Sequence, residues 1–381
     1  MALGPILVFV AVWLGGSWLV VGSLLHPVLP GGWVTVLAVL AAFTIPLSVL
    51  VRGLTDSLYP SALTRLFVLR PFWYAMLFSP LLAMLGILGA IVGVPFGSSG
   101  VFGRSVVLAA AAMFAVFSAI GYFGTKKLVV RSLKIALPRL PAAFEGLRIV
   151  QLSDLHVGPH TSRRFLTRIA GVVSDAQPDM IVYTGDQVDD FPQDVDHLVA
   201  SLGGLEAPLG TFATPGNHDV YAGWNAVRSR LTSAGMTVLA NEAVPIERDG
   251  ERIWLAGTGD PAGQGWQRDG GSDAAPDIER TLRHVVNGER VVALAHNPAL
   301  WPALAKRGVD LTLSGHTHYG QLAIPKWNWN IAGMFLKFSM GIHRQGDSIL
   351  YINPGTNYWG IPLRVGTPPE VTVVTLRRSR E

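Results

Sequence analysis

Asp154, His156, Asp186, Asn217, His296, His316 and His318 each stand at or just past the end of a short apolar run, in "LRIVQLSDLH", "DMIVYTGD", "GTFATPGNHD", "VVALAHNP" and "VDLTLSGHTH". All seven are neutral or anionic nitrogen and oxygen donors, the types that suit Mn, Fe, Zn or Mg ions, and no Lys or Arg lies among the residues that end these runs. A cation-free cluster of Asp154, Asp186 and Asp219 would suffer mutual repulsion and raised pKa values, a conflict that bound cations remove. In "LSGHTHYGQ", His316 and His318 are two residues apart, and in an extended segment such side chains point to one side. Taken alone, that pair reads as an ordinary hydrogen-bonded loop pair. The convergence of every other strand end is what gives it weight.

The elements that must position these groups are legible as runs of β-branched and apolar residues ending in Gly, Pro, Asn or Asp clusters, with "IWLAGTGD" as a further member. Helix-like stretches lie between them at Ser162 to Ala176, with Thr161 or Ser162 placed to cap it, and at Trp224 to Ala234. Such alternation predicts a layered α/β domain whose loops gather at the strand ends, where sites in open α/β sheets form. The Gly- and Asp-rich piece Gly263 to Asp277 reads as a surface insertion.

Ahead of this soluble-like part lies a different kind of chain. Residues 1–125 carry only Arg52, Asp56, Arg65, Arg70 and Arg104 as charged side chains. Spanning a bilayer core of roughly 30 Å takes about 20 apolar residues in a helix. Four runs meet that requirement, at about 5–25, 33–51, 72–94 and 105–123. The first is a poor cleavable signal, since no basic residue precedes it and three further runs follow. Lys and Arg favour the cytoplasmic side of span ends. They cluster after the second run (Arg52, Arg65, Arg70) and after the fourth (Lys126, Lys127), while the turn from His26 to Gly32 has none. The expectation is a multi-pass protein of the inner, cytoplasmic membrane with both termini and the domain 126–381 on the cytoplasmic face. Between Leu54 and Leu69 the apolar spacing suits either a short helix on the inner surface or a plain loop. The chain has no cysteine, which excludes disulfides, thiolate metal sites and cysteine nucleophiles. No basic field of the nucleic-acid-binding kind is present.

The ordered motifs "SDLHVG", "TGDQVD", "TPGNHD", "AHNP" and "SGHTHYGQ" resemble the calcineurin-like metallophosphoesterase family, from about Lys126 to Thr375. The approach "LPAAFEGLRIVQLSDLH" and the ending "PLRVGTPPEVTVVTL" are most similar to its membrane-associated branch of YkuE-like and YaeI-like phosphoesterases and membrane-bound UDP-2,3-diacylglucosamine hydrolases. The resemblance implies a four-layer α/β/β/α sandwich, here preceded by an all-α four-helix transmembrane region. It also implies two divalent ions, with manganese favoured. One would be held by Asp154, His156, Asp186 and His318, the other by Asp186, Asn217, His296 and His316, with Asp186 bridging. His218 would donate a proton to the leaving oxygen, and Asp219, its neighbour in the chain, would orient the imidazole. Many members of that branch have a Ser-Arg-Gly turn near the end. This chain has "INPGTN" there, so Asn353 to Gly355 cannot lend an arginine to substrate phosphate.

The implied activity is metal-dependent hydrolysis of a phosphate ester, by attack of an activated water in line at phosphorus. A membrane-bound binding or sensor module on the same scaffold, or a phosphodiesterase of soluble substrates, are the alternatives. Retention of His218 favours catalysis, because a binding role places no demand on a proton donor. The spans contain no Asp, Glu, Lys or Arg, so a transport path is disfavoured. The basic linker Lys126 to Arg139 and the aromatic stretch with Trp327, Trp329, Phe335, Leu336 and Phe338 point to an amphipathic or lipid-linked substrate and to membrane lipids as partners. His160 lies close enough to "DLHVG" to line the pocket, whereas His197, His284 and His343 have no motif context.

Overall fold

The computed structural model describes residues 3–54, 58–265 and 273–379. The chain divides into two compact units, Met1–Ile120 and Gly121–Glu381. In the first, four helical stretches are long and apolar enough to cross a membrane: Val8–Leu25, Trp33–Gly53, Ala62–Phe96 and Ser99–Gly124. Most of their large apolar side chains face outward, as lipid-facing helices require, and a small buried cluster of Val21, Ala83 and Val107 joins the first, third and fourth. Small residues allow the close approaches: a Cβ on Gly22 would lie 2.4 Å from Val36. The region expected as a surface helix or loop is different. From Ala62 onward it is helical and continues without a break into the third span, so it forms no separate element. Residues 55–57 lie outside the described residues, as do 266–272 of the expected insertion.

The second unit is built on two six-stranded sheets. In chain order the strands are β1 (Val129–Leu137), β2 (Arg148–Leu152), β3 (Met180–Thr184), β4 (Thr211–Thr214), β5 (Thr237–Val238), β6 (Glu242–Arg248), β7 (Glu251–Gly257), β8 (Val291–Leu294), β9 (Leu311–Ser314), β10 (Ala323–Ile324), β11 (Trp329–Asn330), β12 (Gly341–Gln345), β13 (Ser348–Ile352) and β14 (Glu370–Arg378). The first sheet runs β1-β14-β2-β3-β4-β5 and the second β12-β13-β9-β8-β7-β6, with β10 and β11 forming a separate small ribbon. From β2 to β5 and from β7 through β8 and β9 to β13 the pairing is parallel. Strands of a parallel sheet buried on both faces read as continuous apolar runs, and "MIVYT" of β3 is buried at every position.

Alternate residues of these strands sort into three interfaces. Ile149, Met180, Val182 and Phe212 meet Ile253, Leu255, Val292, Leu294 and Leu313 between the sheets. On the outer face of the first sheet, Val150, Leu152, Ile181 and Tyr183 pack against Leu166, Ile169 and Val173 of α1 (Arg163–Asp175), Val195 and Leu198 of α2 (Asp194–Leu202) and Val220 and Val227 of α3 (Asn217–Ser233). Trp254, Ala256, Val291 and Ala293 cover the other outer face with Leu304. The four-layer α/β/β/α arrangement is therefore the one expected. Ser162 caps α1 by accepting from Phe165 N at 3.2 Å. α3 begins earlier than its pattern of Trp224 to Ala234 suggests, at Asn217, because Gly223 interrupts it with a non-helical φ of 110° that splits the apolar periodicity.

Candidate metal centre

Parallel pairing in both sheets brings the carboxyl ends of β2, β3, β4, β8 and β9 to one edge, and the loops that follow carry the seven candidate ligands. Asp154, His156, Asp186, His316 and His318 all adopt positive φ, between 42° and 71°. Non-glycine residues seldom do so, and the strain persists only where surrounding structure holds it. Each strand ends in a sharp turn that swings its donor inward. The glycine ahead of His316 answers to space: a Cβ on Gly315 would lie 2.2 Å from Asp154 Oδ2, and one on Gly216 would lie 2.2 Å from Asp186 Oδ1.

The donor atoms fall into two sets. In the first, His318 Nε2 lies 3.1 Å from His156 Nε2 and 3.2 Å from Asp154 Oδ1, and His156 Nε2 lies 3.5 Å from Asp186 Oδ2. In the second, His296 Nε2 lies 3.3 Å from that same Asp186 Oδ2 and 3.2 Å from Asn217 Oδ1, which is 2.8 Å from His316 Nδ1. One oxygen thus belongs to both sets. These sets have the membership that the resemblance implies for two ions, but the placement of the HxH pair differs from the extended geometry. His316 and His318 lie beyond the end of β9 in left-handed turns and face different sets.

The electrostatics call for positive charge at this place. Burial opposes ionisation of Asp154 and Asp186, yet the neighbouring His318 and His296 hold both carboxyls below the usual carboxylate range. His296 is pushed well above its ordinary value against the effect of burial, chiefly by Asp186. Desolvation lowers His316 and His318 to about 4, leaving both neutral at physiological pH. His296 Nδ1 lies 2.8 Å from Thr184 O and donates to it, which turns Nε2 toward Asp186 and Asn217. Carboxylates, an amide oxygen and imidazoles whose donor atoms lie within 3.5 Å of their neighbours suit hard or borderline divalent ions.

Around this cluster lie groups that spacing did not reveal. Arg364 is fully buried, and its guanidinium reaches His318 Nδ1 at 2.9 Å and Pro354 O at 2.6 Å. An arginine only donates, so Nδ1 accepts and the ion-free ring carries its proton on Nε2, facing Asp154. An ion on Nε2 would require the ring proton to move to Nδ1 and the Arg364 contact to rearrange. Arg364 does not replace the missing arginine of "INPGTN" on the open side of the cluster, since it is spent on His318 Nδ1 and Pro354 O. Asp189 places Oδ1 3.6 Å from His156 Nδ1, and its carbonyl lies 2.6 Å from His218 Nδ1. That carbonyl, not Asp219, orients the His218 ring. The Asp219 carboxylate instead accepts from the backbone N–H groups of Gly216, Gln187 and Val188, at 2.9, 3.0 and 3.2 Å, closing the start of α3 onto the β3 loop. Burial and the charge of Asp186 raise its pKa to about 7. Adjacent residues at a helix start point about 100° apart, which is why Asp219 does not reach its neighbour's ring.

Asn217, His218 and His316 are partly exposed whereas Asp154, His156, Asp186 and His296 are buried, so the site opens on the His218 side. The His218 and His156 rings are 4.7 Å apart, centroid to centroid. Tyr221 and Trp359 set their rings edge-on to His218 at 5.8 and 5.7 Å, and both are more than two fifths exposed. Asp260, buried at the end of the β7 loop, has one carboxylate oxygen without a partner and a pKa raised by burial to about 6. His160 sits 6.1 Å from the Tyr358 ring, and His343 Nε2 is 3.1 Å from Met340 O.

A four-layer α/β/β/α sandwich with this donor set at its strand ends defines a metallophosphoesterase fold. Residues 147–320 match the calcineurin-like phosphoesterase family. An uncharacterized metallophosphoesterase of Aquifex aeolicus is 32% identical over 263 residues, 69% of this chain and 97% of that protein. The uncharacterized metallophosphoesterase YkuE of Bacillus subtilis is 31% identical over 63% of this chain and 82% of its own length. A Danio rerio "transmembrane protein with metallophosphoesterase domain" is 33% identical over 74% of this chain and 64% of its own length. The chain belongs to the calcineurin-like phosphoesterase family. It spans less than two thirds of that fish protein and 57% of the Bos taurus protein of the same name.

Proposed function

We propose that this protein is a membrane-bound, metal-dependent hydrolase of phosphate esters, with an amphipathic or lipid-linked phosphodiester or pyrophosphate, such as a UDP-diacylglucosamine-like compound, as its substrate. The observation that carries the reading is the sharing of Asp186 Oδ2 by two donor sets beside an open, imidazole-bearing mouth. Asp154, His156, Asp186 and His318 would hold one divalent ion and Asp186, Asn217, His296 and His316 the other. Such a pair supplies a water of lowered pKa and offsets charge on phosphoryl oxygens. The protein contributes the rest. His218, its Nδ1 fixed on the Asp189 carbonyl, presents Nε2 to the opening, where a leaving oxygen needs a proton. Burial lowers its pKa, but Asp186, Asp189 and Asp190 outweigh that and raise it.

The amphipathic character of the substrate is supported by the four apolar spans and by the exposed Tyr221 and Trp359 at the mouth. Purified full-length protein, assayed with manganese, is expected to hydrolyse an acylated nucleotide sugar or lipid phosphodiester at least tenfold more efficiently than the deacylated counterpart, a difference of roughly 1.4 kcal/mol. No preference would leave a soluble phosphodiester as the better substrate class. No turnover of any phosphate ester with manganese, iron, zinc or magnesium would favour the binding or sensor reading.

The Lys and Arg distribution supports a cytoplasmic catalytic unit in the inner membrane. A reporter fused to the C-terminus is expected to be active in its cytoplasmic form only. Activity of a reporter that requires export would place the substrate in the opposite leaflet.

A further inference from the structure

The segment between the metal-ligating histidines and β12 carries side chains that no described part of the protein covers. Trp327 is 75% exposed, Phe335 80% and Met334 67%, with Ile324, Trp329, Ile331 and Leu336 also open to solvent. Exposed apolar groups on a floppy loop would be unremarkable, but this segment is held in shape. Its two arms pair as the β10–β11 ribbon, in register Ala323 with Asn330 and Ile324 with Trp329. Asn330 is buried, donates to Ser339 Oγ at 3.0 Å and accepts from Gly333 N at 2.8 Å, and Ile331 N donates to Leu322 O at 3.1 Å. Ala332 tucks inward while its neighbours on both sides point out. The polar backbone and amide groups are satisfied within the segment, and the apolar tips are presented outward on a rigid base. Two cations, Lys326 and Lys337, flank the tips and are exposed themselves, and no acidic residue lies between Ile324 and Met340.

We infer that residues 324–337 form an interfacial anchor that inserts its aromatic and aliphatic tips into the headgroup region of an anionic lipid surface. The chemistry of the patch selects that occupant. Tryptophan with flanking lysine is the composition of membrane interfaces, where the ring is half apolar and the ammonium reaches phosphate. A chain with four helices of spanning length has a bilayer within reach throughout its working life. A protein partner of matching character would meet two uncompensated lysines at the rim, whereas anionic lipid pairs with both. This rests on the membrane-bound reading above, and it separates two roles for the aromatic stretch. Trp329, Met334 and Leu336 border a cavity of about 350 Å³, whereas Trp327 and Phe335, the most exposed, stand outside it and are placed to enter lipid.

The absence of cysteine makes the test clean, because a single introduced thiol labels without background. Full-length Phe335→Cys and Trp327→Cys, each carrying a nitroxide, would be reconstituted in nanodiscs of phosphatidylcholine with phosphatidylglycerol. Val286→Cys, at an exposed apolar position of the same unit, serves as the reference. Accessibility to oxygen, which concentrates in lipid, is compared with accessibility to a water-soluble nickel chelate. The expected result is at least a tenfold shift of the oxygen-to-nickel ratio toward lipid at 327 and 335 relative to 286. Lys326→Glu with Lys337→Glu is expected to reduce that shift. A water-like ratio at 335 overturns the inference, as does protection from both reagents, which would mean that protein covers the segment. The measurement needs no turnover, so its failure is distinct from failure of the proposed hydrolysis.

Discussion

Asp186→Asn is expected to abolish turnover and to strip the protein of one or both ions. The carboxylate is committed on both oxygens: Oδ1 accepts the His218 backbone N–H at 2.8 Å, and Oδ2 faces His156 Nε2 at 3.5 Å and His296 Nε2 at 3.3 Å. An amide cannot satisfy both demands. If its oxygen takes the His218 N–H, its NH2 group points at the shared position and repels cations. If it turns over, two hydrogen-bond donors oppose each other at the start of α3. Either way one negative charge is lost from a position common to both donor sets. The loss of activity should be roughly 10³-fold or more, since removing even one preorganised electrostatic group costs 10² to 10³. Metal content by elemental analysis should fall below the two ions per chain proposed, and thermal unfolding without metal should come at a lower temperature than in wild type, because the carboxylate that His296 holds below the usual range is lost. Retention of both ions and of activity would mean that Asp186 does not bridge.

How much of this could be read from residue order follows from how each group is placed. The seven donors were legible because parallel strands deliver their carboxyl ends to one edge, so motif order along the chain becomes proximity in space. The four spans were legible because a bilayer demands a fixed length of apolar helix. What was not legible is reached across the fold. Arg364 follows His318 by 46 residues and touches it only because the segment after β13 returns beneath the site. Asp189 acts on His218 through a backbone carbonyl, a group every residue carries, so no side-chain pattern marks it. Asp219 misled for the opposite reason: adjacency in sequence suggested a carboxylate–imidazole pair, while helix geometry turns the carboxylate back to the N-terminal amides. The early start of α3 was hidden by Gly223, whose non-helical backbone divides the helix into two pieces with separate apolar phases.

His218→Ala is expected to keep both ions and to lose turnover on the order of 100-fold, the usual contribution of a positioned proton donor. Ion retention follows from position: His218 contributes only its backbone N–H to Asp186, and alanine preserves that bond. The size of the loss should depend on the leaving group, which distinguishes a proton donor from a structural ring. An alkoxide leaving from a lipid or sugar ester needs the proton, so its hydrolysis should carry the full penalty. A nitrophenolate leaves without one, so hydrolysis of the corresponding ester should suffer much less. Asp219→Asn provides the contrast. Asp219 binds three backbone N–H groups and does not touch the ring, so its loss should lower thermal stability and affect both substrates alike. Equal losses for alkoxide and nitrophenolate esters in His218→Ala, together with depleted metal, would reduce His218 to a residue that holds the α3 entry in place.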